Sequence, residues 1–255
     1  MANGTTIRSS IESLEIAPGG LDALNDAYTK MQGISDNRGW IAWAGVHGFP
    51  RFQCWHHGLV GSDQMPYDLF LPWHRAYLLY WEHTARDQNN GVALPYWDWT
   101  SDGSQANGIP NSFQTIPAFA SGPMPAMQQF PARPTQRQPD DPANLPTADD
   151  VNSLMGLGQF ADFSNQVENI HDGVHGWVGG DMGVIVTSAF DPIFWSHHCM
   201  IDRLWYLWQL QNGVNNIPPD YLDKALAPFG MTVRDVLDIT RLGYDYADSA
   251  VTVNA

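Results

Sequence analysis

The nine histidines of this chain fall in two windows, His47 to His83 and His171 to His198, with none between them. Neutral imidazole is a preferred ligand of zinc, copper, iron and nickel, so two separate clusters point to two metal centres. In the second window His171 and His175 are spaced i, i+4, which stacks both rings on one helix face. His198 on the following helix can complete that site, and Asp202, one turn on, is placed to hydrogen-bond a neighbouring ligand or Arg203. A zinc protease would carry Glu directly after the first histidine; this chain has Asp172. In the first window the order is His47, then Cys54-Trp55-His56-His57, then His74 and His83, and three of these histidines can form a second trigonal site. His83 follows His74 by about two and a half helical turns and therefore points to the opposite face. His197, adjacent to His198, cannot share its direction, and His83 and His197 are both read as ordinary polar residues or as residues just behind the ligands.

Helices must carry these ligands. Leu21, Leu24, Ala27, Tyr28 and Met31 recur at helical spacing, and Trp40, Trp43, Ala44 and His47 do so before Gly48 and Pro50. Pro72 sits at the start of the long aromatic helix WHRAYLLYWEHTARD. LPYWDWTSDG reads as a short extended or turn segment. From Pro110 to Pro146 lie nine of the chain's 18 prolines, which predicts a long irregular excursion that Phe113, Phe119, Met124, Met127 and Phe130 can pin to the surface. Helical spacing resumes at Ala148 to Met155 and near Phe163 to Val178. A last long helix follows Pro192 and stops at Asn212-Gly213. Two histidine-bearing helices before the loop and two after it predict a mainly α fold, a four-helix bundle with inward-pointing ligands and long irregular loops. Residues 1–255 read as a single domain.

Composition sets the partners. Lys and Arg number 12 against 27 Asp and Glu, a formal charge of −15, which argues against nucleic acid. A metal or a small neutral substrate stays compatible. Eleven tryptophans, among them Trp43, Trp55, Trp73, Trp81, Trp177 and Trp195, crowd the histidines. Most are core, while a few can wall a dry pocket for a flat substrate. Two cysteines are too few for a disulfide framework. MANGTTIRSSIESLEIAPGG has neither the positive leader nor the apolar core of a signal peptide. No stretch approaches the roughly 20 apolar residues of a membrane helix. The expectation is a soluble, cytoplasmic protein with no membrane partner, partner-assisted export being compatible.

FLPWHRAYLLYWE, from Phe70 to Glu82, resembles the first copper-binding signature of the tyrosinase, catechol oxidase and molluscan haemocyanin family, and DPIFWSHHCMID, from Asp191 to Asp202, is similar to the second. HGFP at 47 to 50, PYWDW at 95 to 99 and IHDGVHGWVGG at 170 to 180 follow the family's order. The resemblance covers about residues 40 to 210. It implies two copper ions in a coupled type 3 site inside a helical bundle, with dioxygen as co-substrate. The first copper would take His47, His56 and His74, and the second His171, His175 and His198. Cys54-x-His56 resembles the Cys-x-His of relatives in which the sulfur is joined to the ligand ring, so a Cys54 thioether to His56 is implied. The family's second ligand normally stands nine residues before the histidine of PWH, where this chain has Met65. The loop GLVGSDQMPYD then reads as an insertion, and His56 is preferred over His57, which stays an alternative.

Three further positions bear on the reaction. Glu168, three residues before His171, matches the acidic residue that in relatives holds a water near the substrate hydroxyl. Asp172 replaces an Asn found in relatives with strong monophenol hydroxylation; its carboxylate could accept a proton or repel a phenolate. Gly176 leaves room for a ring. The implied reaction is oxidation of o-diphenols or o-aminophenols to o-quinones or quinone imines by dioxygen, with weaker hydroxylation of monophenols. Its partners would be a small phenolic or aminophenolic substrate and a copper-delivery protein. The alternative class is a reversible oxygen carrier like haemocyanin. The short stretch after the second signature leaves no room for the shielding β domain of molluscan carriers, which favours an accessible site. A zinc hydrolase is the third reading.

Overall fold

Proline in the first turn of a helix forfeits only an amide that has no partner within the helix, and Pro72 and Pro192 both use that allowance. The computed structural model describes residues 5–55, 69–115, 122–126 and 131–247. In chain order these contain β1 (Thr6–Arg8), α1 (Ile11–Ile16), α2 (Asp22–Gly33), α3 (Trp40–His47), α4 (Phe70–Gln88), α5 (Asp102–Asn107), α6 (Asn111–Thr115), α7 (Ala148–Met155), α8 (Phe160–Val178), α9 (Pro192–Asn212), β2 (Ala225–Leu226), β3 (Met231–Thr232), α10 (Ile239–Leu242) and β4 (Tyr244–Tyr246). Single 3-10 turns, among them Ser188–Phe190, link them.

The architecture is mainly helical, as the spacing predicts. α4 packs on α2, α8 and α9, α9 packs on α8, and α3 lies on α2 and on the Ser188–Phe190 turn. Asp191 caps α9 by accepting the Ile193 N–H at 3.0 Å, Pro192 opens the helix, and Gly213 at φ 87° closes it. From Pro192 to Arg203 every residue of α9 is buried. A helix covered on all sides is a central one, and its two faces must meet different neighbours. Aromatic rings fill the space: Trp195 of α9 stacks on Trp81 of α4 at 3.5 Å, and Trp40 of α3 meets Trp81 edge-on at 4.7 Å. The Trp40 indole donates to the Phe190 carbonyl at 3.1 Å, which ties α3 to the approach of α9.

The proline-rich excursion is pinned as expected at Phe113 and Met124, both buried; Phe119, Met127 and Phe130 lie outside the described residues. Its later part runs along the end of α8, where Gln138 N–H donates to the Val178 carbonyl at 3.0 Å and Asp140 N–H to that of Trp177 at 2.9 Å.

Asp202 departs from its expected role. It bonds neither a ligand nor Arg203. Its carboxylate accepts instead from Arg75 of α4, from Arg8 of β1 at 3.1 Å, and from the phenols of Tyr244 and Tyr246 at 2.7 and 2.6 Å. β1 and β4 pair in parallel, Thr6 opposite Tyr244 and Arg8 opposite Tyr246, which delivers Arg8 and both tyrosines together. Arg8 also forks onto Glu82 at 3.0 and 3.2 Å, and Glu82 accepts the Leu94 N–H at 2.8 Å. Arg75 lies 3.6 Å over the Trp205 ring and donates to Gln209 at 3.0 Å. Two cations meet two anions, so the network is neutral, and every charge has several hydrogen bonds. That is the condition under which buried ions do not destabilise.

Burial alone would raise the Asp202 pKa, but Arg75 and Arg8 outweigh it and hold the carboxyl below its ordinary value. Its stabilising contribution is therefore present above about pH 4 and is lost as pH falls through the depressed folded value. Asp202→Asn should cost about 3–5 kcal/mol in urea unfolding at pH 7, because Arg8 and Arg75 stay buried with one carboxylate fewer. Acidification below pH 4 should narrow the gap between wild type and variant.

Candidate metal centre

The end of α3, the first turns of α4, the middle of α8 and the first half of α9 each deliver histidine to one buried point. His47 is the last residue of α3, and His74 is the fifth of α4. His74 Nδ1 donates to the Phe70 carbonyl at 2.8 Å, a group one turn back on the same helix. His175 Nδ1 donates to the Met182 carbonyl at 2.7 Å, and His171 Nδ1 faces Asp172 Oδ1 at 3.1 Å. Carbonyl oxygens only accept, so the ring protons of His74 and His175 sit on Nδ1 and the Nε2 lone pairs turn inward.

The Nε2 atoms of His171, His175 and His198 converge. His198 Nε2 stands 3.1 Å from His171 Nε2 and 3.2 Å from His175 Nε2. On its other side His198 stacks on His74, ring centroids 4.5 Å apart, with His47 5.7 Å from His74 and 6.1 Å from His198. Donor atoms of His47, His74 and His198 all lie within 4.8 Å of one another, and so do those of His171, His175 and His197. His198 thus joins both groups. Burial lowers the His175 pKa to about 4, and burial together with His74, His171 and His175 holds His198 well below the ordinary value. Both of these rings are neutral at pH 7. Several neutral nitrogens with inward lone pairs in a dry pocket repel one another unless a cation lies between them. The donor set, imidazole without carboxylate, suits copper, and the two three-histidine groups fit a dinuclear copper centre.

Five of the six expected ligands, His47, His74, His171, His175 and His198, are brought together. His56, with its alternative His57 and the thioether partner of Cys54, lies outside the described residues. Cys54 is buried, and burial pushes its thiol up to about 12. His83 is exposed, as its helical position implies. His197 lies against the other rings rather than apart from them: it is buried, and its ring stacks on His171 at 5.1 Å and lies 5.0 Å from His175. Diverging directions on α9 do not separate it from the centre, because α9 is enclosed on both faces.

Glu168, His171 and His175 fall on one ridge of α8, and Glu168 is 5% exposed. The Asp172 side chain is 62% exposed and borders a cavity of about 220 Å³ that His47, His171 and His175 also line. Gly176 faces the same cavity, and a Cβ there would meet nothing within 4 Å. The backbone acceptors Phe70 and Met182, which orient His74 and His175, have no sequence signature. Their identity follows from local geometry alone.

The common central domain of tyrosinase matches residues 37–134 and 120–211. The chain is 32% identical over 211 residues to a tyrosinase of Streptomyces lincolnensis, covering 71% of this chain and 73% of that one. It is 28% identical over 285 residues to units Ode to Odg of an A-type hemocyanin of Enteroctopus dofleini, covering 95% of this chain and 22% of that one. A G-type hemocyanin of the same octopus is similar, and there the chain spans 9% of the relative's length. Among solved structures, a functional unit of octopus hemocyanin aligns with a TM-score of 0.77 at 25% identity, covering 96% of this chain and 68% of that one. A tyrosinase from Burkholderia thailandensis aligns with a TM-score of 0.77 at 21% identity, covering 97% and 75%.

Elemental analysis of protein reconstituted with copper should find two ions per chain. His198→Ala should depress both occupancies, since His198 borders both groups, whereas His83→Ala should leave them unchanged. Copper loading should also raise Tm, because the ion binds the folded chain preferentially; a selective loss of one ion in His198→Ala would contradict the shared position.

Proposed function

We propose that this chain, which belongs to the family of the common central domain of tyrosinase and is a type 3 copper protein, oxidises o-diphenols or o-aminophenols with dioxygen. The products would be o-quinones or quinone imines. The observation that carries this reading is the cavity at the histidines, bordered by Asp172 and by the open side of Gly176. When bound, the copper pair supplies two one-electron centres through which dioxygen is reduced as the substrate gives up two electrons. In balance, two o-diphenols and one dioxygen yield two o-quinones and two waters.

The side chains do the rest. His47, His74, His171, His175 and His198 hold the pair, with His56 as the sixth ligand. The bonds from Nδ1 to the Phe70 and Met182 carbonyls keep the His74 and His175 rings aimed before any ligand arrives. Glu168, on the ligand ridge of α8, is the group proposed to draw the hydroxyl proton, directly or through one water. Asp172 has two consequences in this reading. Its bond to His171 Nδ1 makes that ring a better donor, and its charge at the cavity wall disfavours a phenolate.

Oxygen uptake by copper-loaded protein should be faster with catechol and o-aminophenol than with tyrosine. Equal or faster turnover of the monophenol would overturn the ranking. Reversible oxygen binding without turnover of any of the three would identify a carrier. Asp172→Asn removes the charge while keeping a side-chain oxygen near His171, so the ratio of tyrosine to catechol rates should rise at unchanged copper content. An unchanged ratio would remove Asp172 from substrate discrimination.

A further inference from the structure

His175 takes its orientation from a loop rather than from its own helix, through the 2.7 Å bond from its Nδ1–H to the Met182 carbonyl. That loop is itself held from outside. Asp181, 4% exposed, accepts two bonds from Arg133, Nη1 to Oδ2 at 2.6 Å and Nη2 to Oδ1 at 2.9 Å, and a third from the Gln136 N–H at 2.6 Å. Its backbone N–H returns to the Gln136 carbonyl at 2.8 Å, and its carbonyl accepts the Thr187 hydroxyl at 2.9 Å. Gly180, at φ 54°, lets the two segments approach, since a Cβ there would stand 2.3 Å from the Gln136 carbonyl oxygen. Met182, Gly183, Ile185 and Ser188, all on this loop, line the cavity.

We infer that Arg133 is a positioning residue for the second three-histidine group. Its fork on Asp181 fixes the adjacent Met182 carbonyl, and that carbonyl fixes the ring of His175 and one wall of the cavity. The assignment of His175 as a copper ligand rests on the reading proposed above; the orientation of its ring does not. A guanidinium matches both carboxylate oxygens at once, which an ammonium cannot do. Because Asp181 is buried and its partner is 28% exposed, the pair is less screened than a surface bridge.

The test compares Arg133→Gln, Arg133→Lys and Asp181→Asn with Arg234→Gln, which breaks the exposed bridge to Asp223. Histidine-selective ¹⁵N NMR of the metal-free proteins reads the hydrogen-bonded Nδ1–H of His175, and loss of copper to a chelator reads its retention. Arg133→Gln should shift or broaden the His175 resonance and weaken retention of one of the two coppers by about tenfold, the low end for partners outside the ligand shell. Arg133→Lys should fall between it and wild type, and Arg234→Gln should change neither. Lower Tm in Arg133→Gln with an unchanged His175 resonance and unchanged copper loss would overturn the inference. If Arg133→Gln does not fold, Arg133→Lys and Asp181→Asn carry the same comparison. A wild-type chain that takes up no copper would defeat the copper reading, while the NMR comparison would still decide the role of Arg133.

Discussion

The centre depends on one buried contact, the pairing of Arg75 with Asp202 across α4 and α9. Arg75 directly follows His74, and Asp202 lies one turn beyond His198, so the ion pair and the imidazole pair are read off the same two stretches of helix. Sliding α9 by a single turn would move His198 about 5.4 Å relative to His74 and would break both at once. An apolar contact of similar area tolerates such slips better than a charged pair with fixed geometry. The desolvation cost of four buried charges is offset by the forked Arg8–Glu82 bridge, two phenols and the Trp205 face. The same carboxylate draws β1 and β4 onto the bundle, although these lie at opposite ends of the described chain.

Legibility in the sequence followed the range of the interactions. Local ones could be read: the i, i+4 pair His171 and His175, the prolines in the first turns of α4 and α9, the glycine that ends α9, and the outward position of His83. Long-range ones could not. Nothing near Asp202 signals that its partners are Arg8 and Arg75, because pairing of β1 with β4 depends on how the whole chain closes. His197 is a subtler case. Its divergence from His198 is correct for an isolated helix, but it implies distance from the site only where one face of the helix is wet. The acceptors of His74 and His175 were hidden for another reason: any residue can supply a backbone carbonyl, so the sequence holds no trace of the choice.

Neutrality of the imidazoles is the second constraint, and the fold imposes it rather than the ligands. A protonated ring in this core would be a buried cation, so burial lowers the His175 pKa to about 4, and burial with the neighbouring histidines holds His198 well below its ordinary value. Once the Nδ1 protons of His74 and His175 are given to carbonyls, Nε2 has no role left except as a donor atom. The rings are therefore oriented in advance, and the cost of ordering them is met when the helices pack rather than when an ion binds.

A centre of this construction suits oxygen carriage and phenol oxidation alike, consistent with relatives named as hemocyanins and as tyrosinases at comparable identity. Discrimination must then lie at the cavity wall and in the field around it. The chain carries a formal charge of −15, and Asp172 places one of those carboxylates, exposed, beside His171. For the proposed phenolic substrate, such a field disfavours a phenolate arriving from solvent and leaves the neutral phenol as the entering form. In the proposed reaction the hydroxyl proton is then shed inside the cavity, after the ring has been seated. In that proposal proton removal falls to a carboxylate of the protein, and Glu168, buried on the same ridge of α8 as His171 and His175, is the group proposed for it.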